Sequence, residues 1–152
     1  MGNDTVSLTS GQYCGFKIDG EQFAISVEDV QEVIKPQPIT AIPLAQNEIR
    51  GLINLRGQIV TCLSLKVLFG KTDQLDREYM NIIVKGKDGL FALLVDEVTD
   101  IIDIDKSQLE STPSTISHHL KKYVSSVYKK RNGLVILLNV KNLIELKKEM
   151  DL

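Results

Sequence analysis

At 152 residues, with a net charge of −2, 43% hydrophobic and 25% charged residues, the chain has the makeup of one soluble globular domain able to bury a core without disulfides or metal. The slight acidity gives no global attraction for phosphate backbones, and the longest apolar stretches fall well short of the roughly 20 residues that span a bilayer. Residues 1–11 are polar and lack the basic-then-apolar order of a secretory signal, so they read as a flexible lead-in to a cytoplasmic protein whose single domain covers 12–152.

Tyr13 to Ile18, Asp19-Gly20, then Gln22 to Ile25 is an apolar run, a turn and an apolar run, and Asp-Gly favours a tight hairpin because both positions tolerate positive φ. Ser26 can cap a short helix on which Val27, Val30, Val33 and Ile34 recur at helical spacing until Lys35-Pro36 stops it. A connection rich in proline leads to two apolar runs, Ile49 to Ile53 and Ile59 to Leu63, joined at Arg56-Gly57. This is a second hairpin, with Gly57 permitting the turn and Gly51 a bend or a close backbone approach. Arg56 at the tip is either an ordinary solvated turn charge or a contact point. Leu65 to Phe69 reads as one helical turn closed by Gly70.

Beyond the polar stretch Lys71 to Glu78, strands are expected at Met80 to Lys85, Leu90 to Val95 and Val98 to Ile104, then an excursion over 105–122. A last hairpin, Val124 to Tyr128 and Leu134 to Leu138, precedes a helix capped by Asn139, with Val140, Leu143, Ile144 and Met150 on one face. Two clusters of about five strands without a βαβ rhythm predict a mainly β protein of two barrel-like lobes, the second covering approximately 78–138.

Little in this pattern supports catalysis. His118 and His119 are the only histidines and lie together in the polar excursion; Cys14 and Cys62 read as buried apolar residues. Neither set has the spacing of a zinc site, and the acidic run Asp96, Glu97, Asp100, Asp103, Asp105 lacks the glycine of a calcium loop, so it reads as a solvated strand edge. No metal or cofactor is expected. One rival to a protein-binding module is single-stranded nucleic acid on Tyr123, Tyr128 and the basic residues Lys129 to Arg131.

The blocks "ISVEDVQEVI", "EIRGLINLRGQIV" followed by "LSLKVLFG", "LFALLVDEVTDI" and "VILLNVKNLI" resemble, in order and spacing, the CheW family of bacterial chemotaxis coupling proteins, from about Tyr13 to Leu146. The resemblance implies two five-stranded SH3-like barrels and no catalytic activity. It also implies a scaffold joining the cytoplasmic tips of chemoreceptors to the regulatory domain of the histidine kinase CheA, with rings of CheW-like domains as a further assembly and membrane contact only through the receptors. The family's receptor groove carries over to Val30 and Glu32 on the short helix, to Arg56, and to Ile82 and Ile83. Ser125, Val127 and Tyr128 fall where a kinase-facing or ring-closing surface is expected. The chain departs from the family's usual Val-Pro and Asp-Leu at Val60-Thr61 and Ser64-Leu65, from a frequent glycine at Ala92, and from a glycine-containing strand at Ser125 to Tyr128.

Overall fold

A computed structural model describes residues 10–72 and 77–150, with the side chains of the last helix as far as Glu145. Strands β1 (Ser10–Ile18) and β2 (Glu21–Ser26) form the first hairpin, turned at Asp19-Gly20 with φ of 52° and 82°. Then come β3 (Val30–Ile34), β4 (Ile49–Leu55), β5 (Gln58–Ser64), β6 (Met80–Lys85), β7 (Leu90–Val95), β8 (Glu97–Asp105), the two-residue β9 (Leu109–Glu110), β10 (Val124–Lys130) and β11 (Gly133–Leu138). Helix α1 (Leu65–Leu68) follows β5, α2 (His118–Lys121) lies in the excursion, and α3 (Val140–Met150) closes the chain. Each starts at a polar cap: the Ser64 and Ser117 hydroxyls accept from Val67 N and Leu120 N, and Asn139 Oδ1 accepts from Asn142 N at 3.0 Å.

The strands form a six-stranded sheet in the order β8-β1-β2-β11-β10-β9 and a five-stranded sheet in the order β3-β6-β7-β5-β4. The mainly β, two-lobed architecture is the expected one, but the sheets do not part near residue 78. Strands β6 and β7 complete the five-stranded sheet begun by β3 to β5, and the six-stranded sheet takes both ends of the chain. Ser10 and Gly11, expected in the lead-in, already pair with β8; residues 1–9 and the side chain of Met150 lie outside those described.

The helix expected from Val27 to Ile34 is a correction. Ser26 does cap a turn, its hydroxyl accepting from Glu28 N at 3.2 Å, but the turn is one 3-10 winding, Val27–Asp29, and the chain then extends as β3. A bulge between Val30 and Glu32 explains the deceptive spacing: it sets Val30 opposite Val84 and Val33 opposite Ile82, so residues three apart register against the same core. Valine and isoleucine favour the extended form, and pairing with β6 decides the outcome.

Three cores follow from the two sheets. The largest lies between them, where Phe16, Ile18, Phe23 and Ile25 meet Leu63, Ile82, Val84, Leu93 and Val95, with Phe69, Leu120, Leu143 and Ile144 completing it. A second fills the five-stranded lobe with Ile53, Val60, Cys62, Ile83, Ala92 and Leu94, and a third fills the six-stranded lobe with Ala24, Ile104, Val135 and Leu137. Strands β6 and β7 are buried on both faces, which is why "IIV" and "ALLV" read as unbroken apolar runs.

Candidate functional site

The turn between β4 and β5 is Arg56-Gly57, with φ of 51° and 87°. Two successive left-handed residues match the twist of the strands they join, and Asn54 Oδ1 accepts from Gly57 N at 2.8 Å to fix the turn. Arg56 therefore projects from a rigid tip. Its Nη2 donates to Glu32 Oε2 on β3; the side chains are 67% and 28% exposed. Strand β3 is one edge of the five-stranded sheet and β4 the other, so this ion pair spans the open seam of the lobe. A backbone clasp lies on the same seam: Thr40 and Leu52 exchange hydrogen bonds of 2.9 and 2.8 Å. Gly51 makes the clasp possible, because a Cβ there would lie 2.2 Å from Thr40 O, at a φ of 144°.

Beside this seam the core between the sheets runs out onto an apolar shelf. Register aligns Val30, Val84, Phe91, Thr61 and Leu52 in one row across all five strands. Val84 is buried and the other four are half-buried. Ile59, two residues from Thr61 and so on the same face of β5, is 58% exposed, because the pairing of β5 with β7 begins only at Thr61. A half-buried apolar row ending in the exposed Ile59, on the strand that follows the Arg56 turn, suits an amphipathic helix laid across it; Glu32, which registers with Ile83, points to the opposite face of the sheet.

The CheW-like domain family model matches residues 12–148. The chain belongs to the CheW-like family. It is 27% identical to the chemotaxis protein CheW of Helicobacter pylori over 135 residues, covering 88% of this chain and 81% of that one. With the Thermotoga maritima chemotaxis protein CheW it shares 28% identity over 139 residues, 91% of each chain. The crystal structure of the scaffolding protein TtCheW from Thermoanaerobacter tengcongensis superposes with a TM-score of 0.77 at 30% identity, covering 88% of this chain and 86% of that one.

Within this CheW-like chain the structure brings together some of the residues singled out in the sequence and separates others. Glu32 and Arg56 are paired and Val30 opens the shelf, all three on or beside strands and none on a helix. Ile82 and Ile83 are each 0% exposed, one in the core between the sheets and the other in the core of the lobe. Neither can touch a docked partner, and both leave the groove assignment. Alternation on a strand covered on both faces sends consecutive isoleucines into two different cores. Leu52, Ile59, Thr61 and Phe91 of the shelf are not singled out by the sequence. Their signal lies in pairing between distant strands, which the run from Ile59 to Leu63 does not carry by itself.

Of the expected kinase or ring surface, Val127 is buried. Ser125 is exposed and donates from its hydroxyl to Leu137 O at 3.2 Å, and Tyr128 is half-buried against the core of the six-stranded lobe. Tyr123, needed as a stacking platform for single strands, is 4% exposed, its ring 6.2 Å from that of Phe69. That removes Tyr123 from the nucleic-acid reading and leaves the half-buried Tyr128 beside the exposed Lys129 to Arg131. His118 and His119 are exposed on α2, and no group of three or more His, Cys, Asp or Glu able to hold a metal occurs among the described residues. Burial pushes the Cys62 thiol up to about 12 against a smaller opposing pull from Arg50.

Proposed function

We infer that this chain is an adaptor of chemotaxis-type signal transduction, coupling chemoreceptors to a CheA-type histidine kinase without a catalytic step of its own. Membership of the CheW-like family over residues 12–148 supports the adaptor role. The observation that carries the site is the shelf of Val30, Leu52, Ile59, Thr61 and Phe91, with the Glu32–Arg56 pair at the seam of the same sheet. In this reading the helical tip of a receptor lays its apolar face on the shelf, and Arg56, projecting from the turn that precedes Ile59, sets its register. Strand β10 at Ser125 and Tyr128 serves the kinase regulatory domain or another CheW-like domain in a ring. No helix among the described residues is long and apolar enough to cross a membrane, and the adaptor joins receptor arrays by docking on receptors.

A pulldown with the kinase regulatory domain and a receptor signalling tip tests this. The wild-type chain retains both, and Arg56→Ala weakens the receptor while leaving the kinase. The exposed ion pair contributes at most about 1 kcal/mol to stability, so the variant stays folded and its melting temperature serves as the control. Undiminished receptor binding by Arg56→Ala would remove the residue from the site.

A further inference from the structure

The two sheets are joined at one point by a single residue. Strand β7 ends the five-stranded sheet at Val95, β8 opens in the six-stranded sheet at Glu97, and Asp96 alone lies between. This hinge residue is tied down through its backbone N–H, a hydrogen bond to Oδ2 and ion pairs at Oδ1. Its backbone N–H donates to Lys17 O at 3.1 Å, and its Oδ2 accepts from Asp19 N at 2.8 Å, both in the β1–β2 hairpin of the six-stranded sheet. Its Oδ1 lies 3.3 Å from Lys66 Nζ and 3.7 Å from Arg77 Nη2. Lys66 belongs to α1, which continues directly from β5 of the five-stranded sheet, and its side chain is only 5% exposed. The same ammonium reaches Asp19 Oδ1 at 3.1 Å and lies 5.4 Å from the centre of the Tyr79 ring. One buried cation thus binds a carboxylate from the hinge and another from the hairpin of the opposite sheet.

A buried lysine is a poor device for stability alone. Removing an ammonium from water costs several kcal/mol, and its carboxylate partners return little more than that, so an apolar residue of similar length often serves a core as well. What the ion cluster supplies and apolar packing does not is direction. The core between the sheets is held by non-directional contacts, and hydrogen-bonded charges at fixed points restrict the angle at which two packed layers meet. We propose that Lys66, clamping Asp96 and Asp19, is a positioning residue that fixes the angle between the two sheets. The consequence for partner binding rests on the groove reading above, since the shelf borders the core between the sheets and changes shape with that angle.

Pulsed electron paramagnetic resonance on spin-labelled full-length chain tests the proposal; both native thiols are buried. Labels at Lys87→Cys and Arg131→Cys, exposed turns of the two sheets, report the angle, and labels at Lys87→Cys and Gln58→Cys report the five-stranded sheet alone. Lys66→Met should broaden the distance distribution between sheets and leave the one within the sheet unchanged, while Lys66→Arg, which keeps the cation, should narrow it again. Equal broadening of both pairs, or of neither, overturns the proposal. If Lys66→Met does not fold, Asp19→Asn, at a partly exposed partner, should broaden the same pair to a smaller extent, and an unchanged pair overturns the proposal. Receptor-tip affinity of Lys66→Met measured in parallel should fall about tenfold, equivalent to about 1.4 kcal/mol. A broadened angle with unchanged affinity upholds the hinge clamp and refutes the groove.

Discussion

The seam of the five-stranded lobe depends on residues whose neighbours leave them no alternative. Arg56 adopts a left-handed conformation that costs a side-chain-bearing residue energy, and it does so where a hairpin turn requires two such residues in succession. The conformation directs the guanidinium toward Glu32 instead of along the strand. Gly51 is constrained more tightly still. A methyl group there meets both the positive φ and the Thr40 carbonyl, so Gly51→Ala should cost about 3 kcal/mol or more, read as a lowered urea midpoint. Because the clasp lies on the seam, receptor binding should weaken with it. A variant as stable as the wild type would mean that Thr40 and Leu52 need not approach so closely.

At the scale of elements, much of the fold was legible in the sequence, and the exceptions share a cause. The hairpins at Asp19-Gly20 and Arg56-Gly57 follow from local turn chemistry, and the Asn139 cap from a polar residue beside an apolar run. Local rules suffice where the competing forces are local. Strand β3 carries a helical spacing because one bulge converts an alternating pattern into a helical one, and only the distant partner β6 shows that the residues lie on a strand. The sheets likewise part at Asp96 and not near residue 78, since no local signal tells β6 to pair with β3 instead of β8. Of the candidate site, Arg56, Glu32 and Val30 could be placed from motif resemblance. Ile82 and Ile83 could not, because motif position does not report which side of a doubly covered strand a residue faces. The shelf of Leu52, Ile59 and Phe91 is a product of register among three strands and has no counterpart in any contiguous segment.

Over the whole molecule, burial of titratable groups makes the fold sensitive to alkali. The Cys62 thiol is raised from 9.0 to about 12, and burial also raises Cys14 and Tyr123. Lys66 is raised as well: burial disfavours its ammonium, but hydrogen bonds and attraction from Asp19 and Asp96, with a contribution from Tyr79, outweigh that penalty. In every case the folded state holds its proton to higher pH than the unfolded state. The stability these groups contribute is complete below the unfolded values and is lost as pH rises through the folded ones. Urea unfolding should therefore give a lower midpoint at pH 10.5 than at pH 8, pH values chosen on the order of the ordinary thiol and lysine ranges. An unchanged midpoint would mean that these groups are hydrated in the folded state.

Two sheets that meet at Asp96, with an apolar shelf on the five-stranded one, suit a scaffold of the CheW-like family. The central claim is that a receptor tip occupies the shelf beside Glu32 and Arg56. Nuclear magnetic resonance mapping of the isotope-labelled chain titrated with an unlabelled receptor signalling tip addresses it most directly. The account predicts that shifts concentrate at Val30, Glu32, Leu52, Arg56, Ile59, Thr61 and Phe91. Shifts confined to β10 and its turn at Arg131 to Gly133, with the shelf silent, would contradict it.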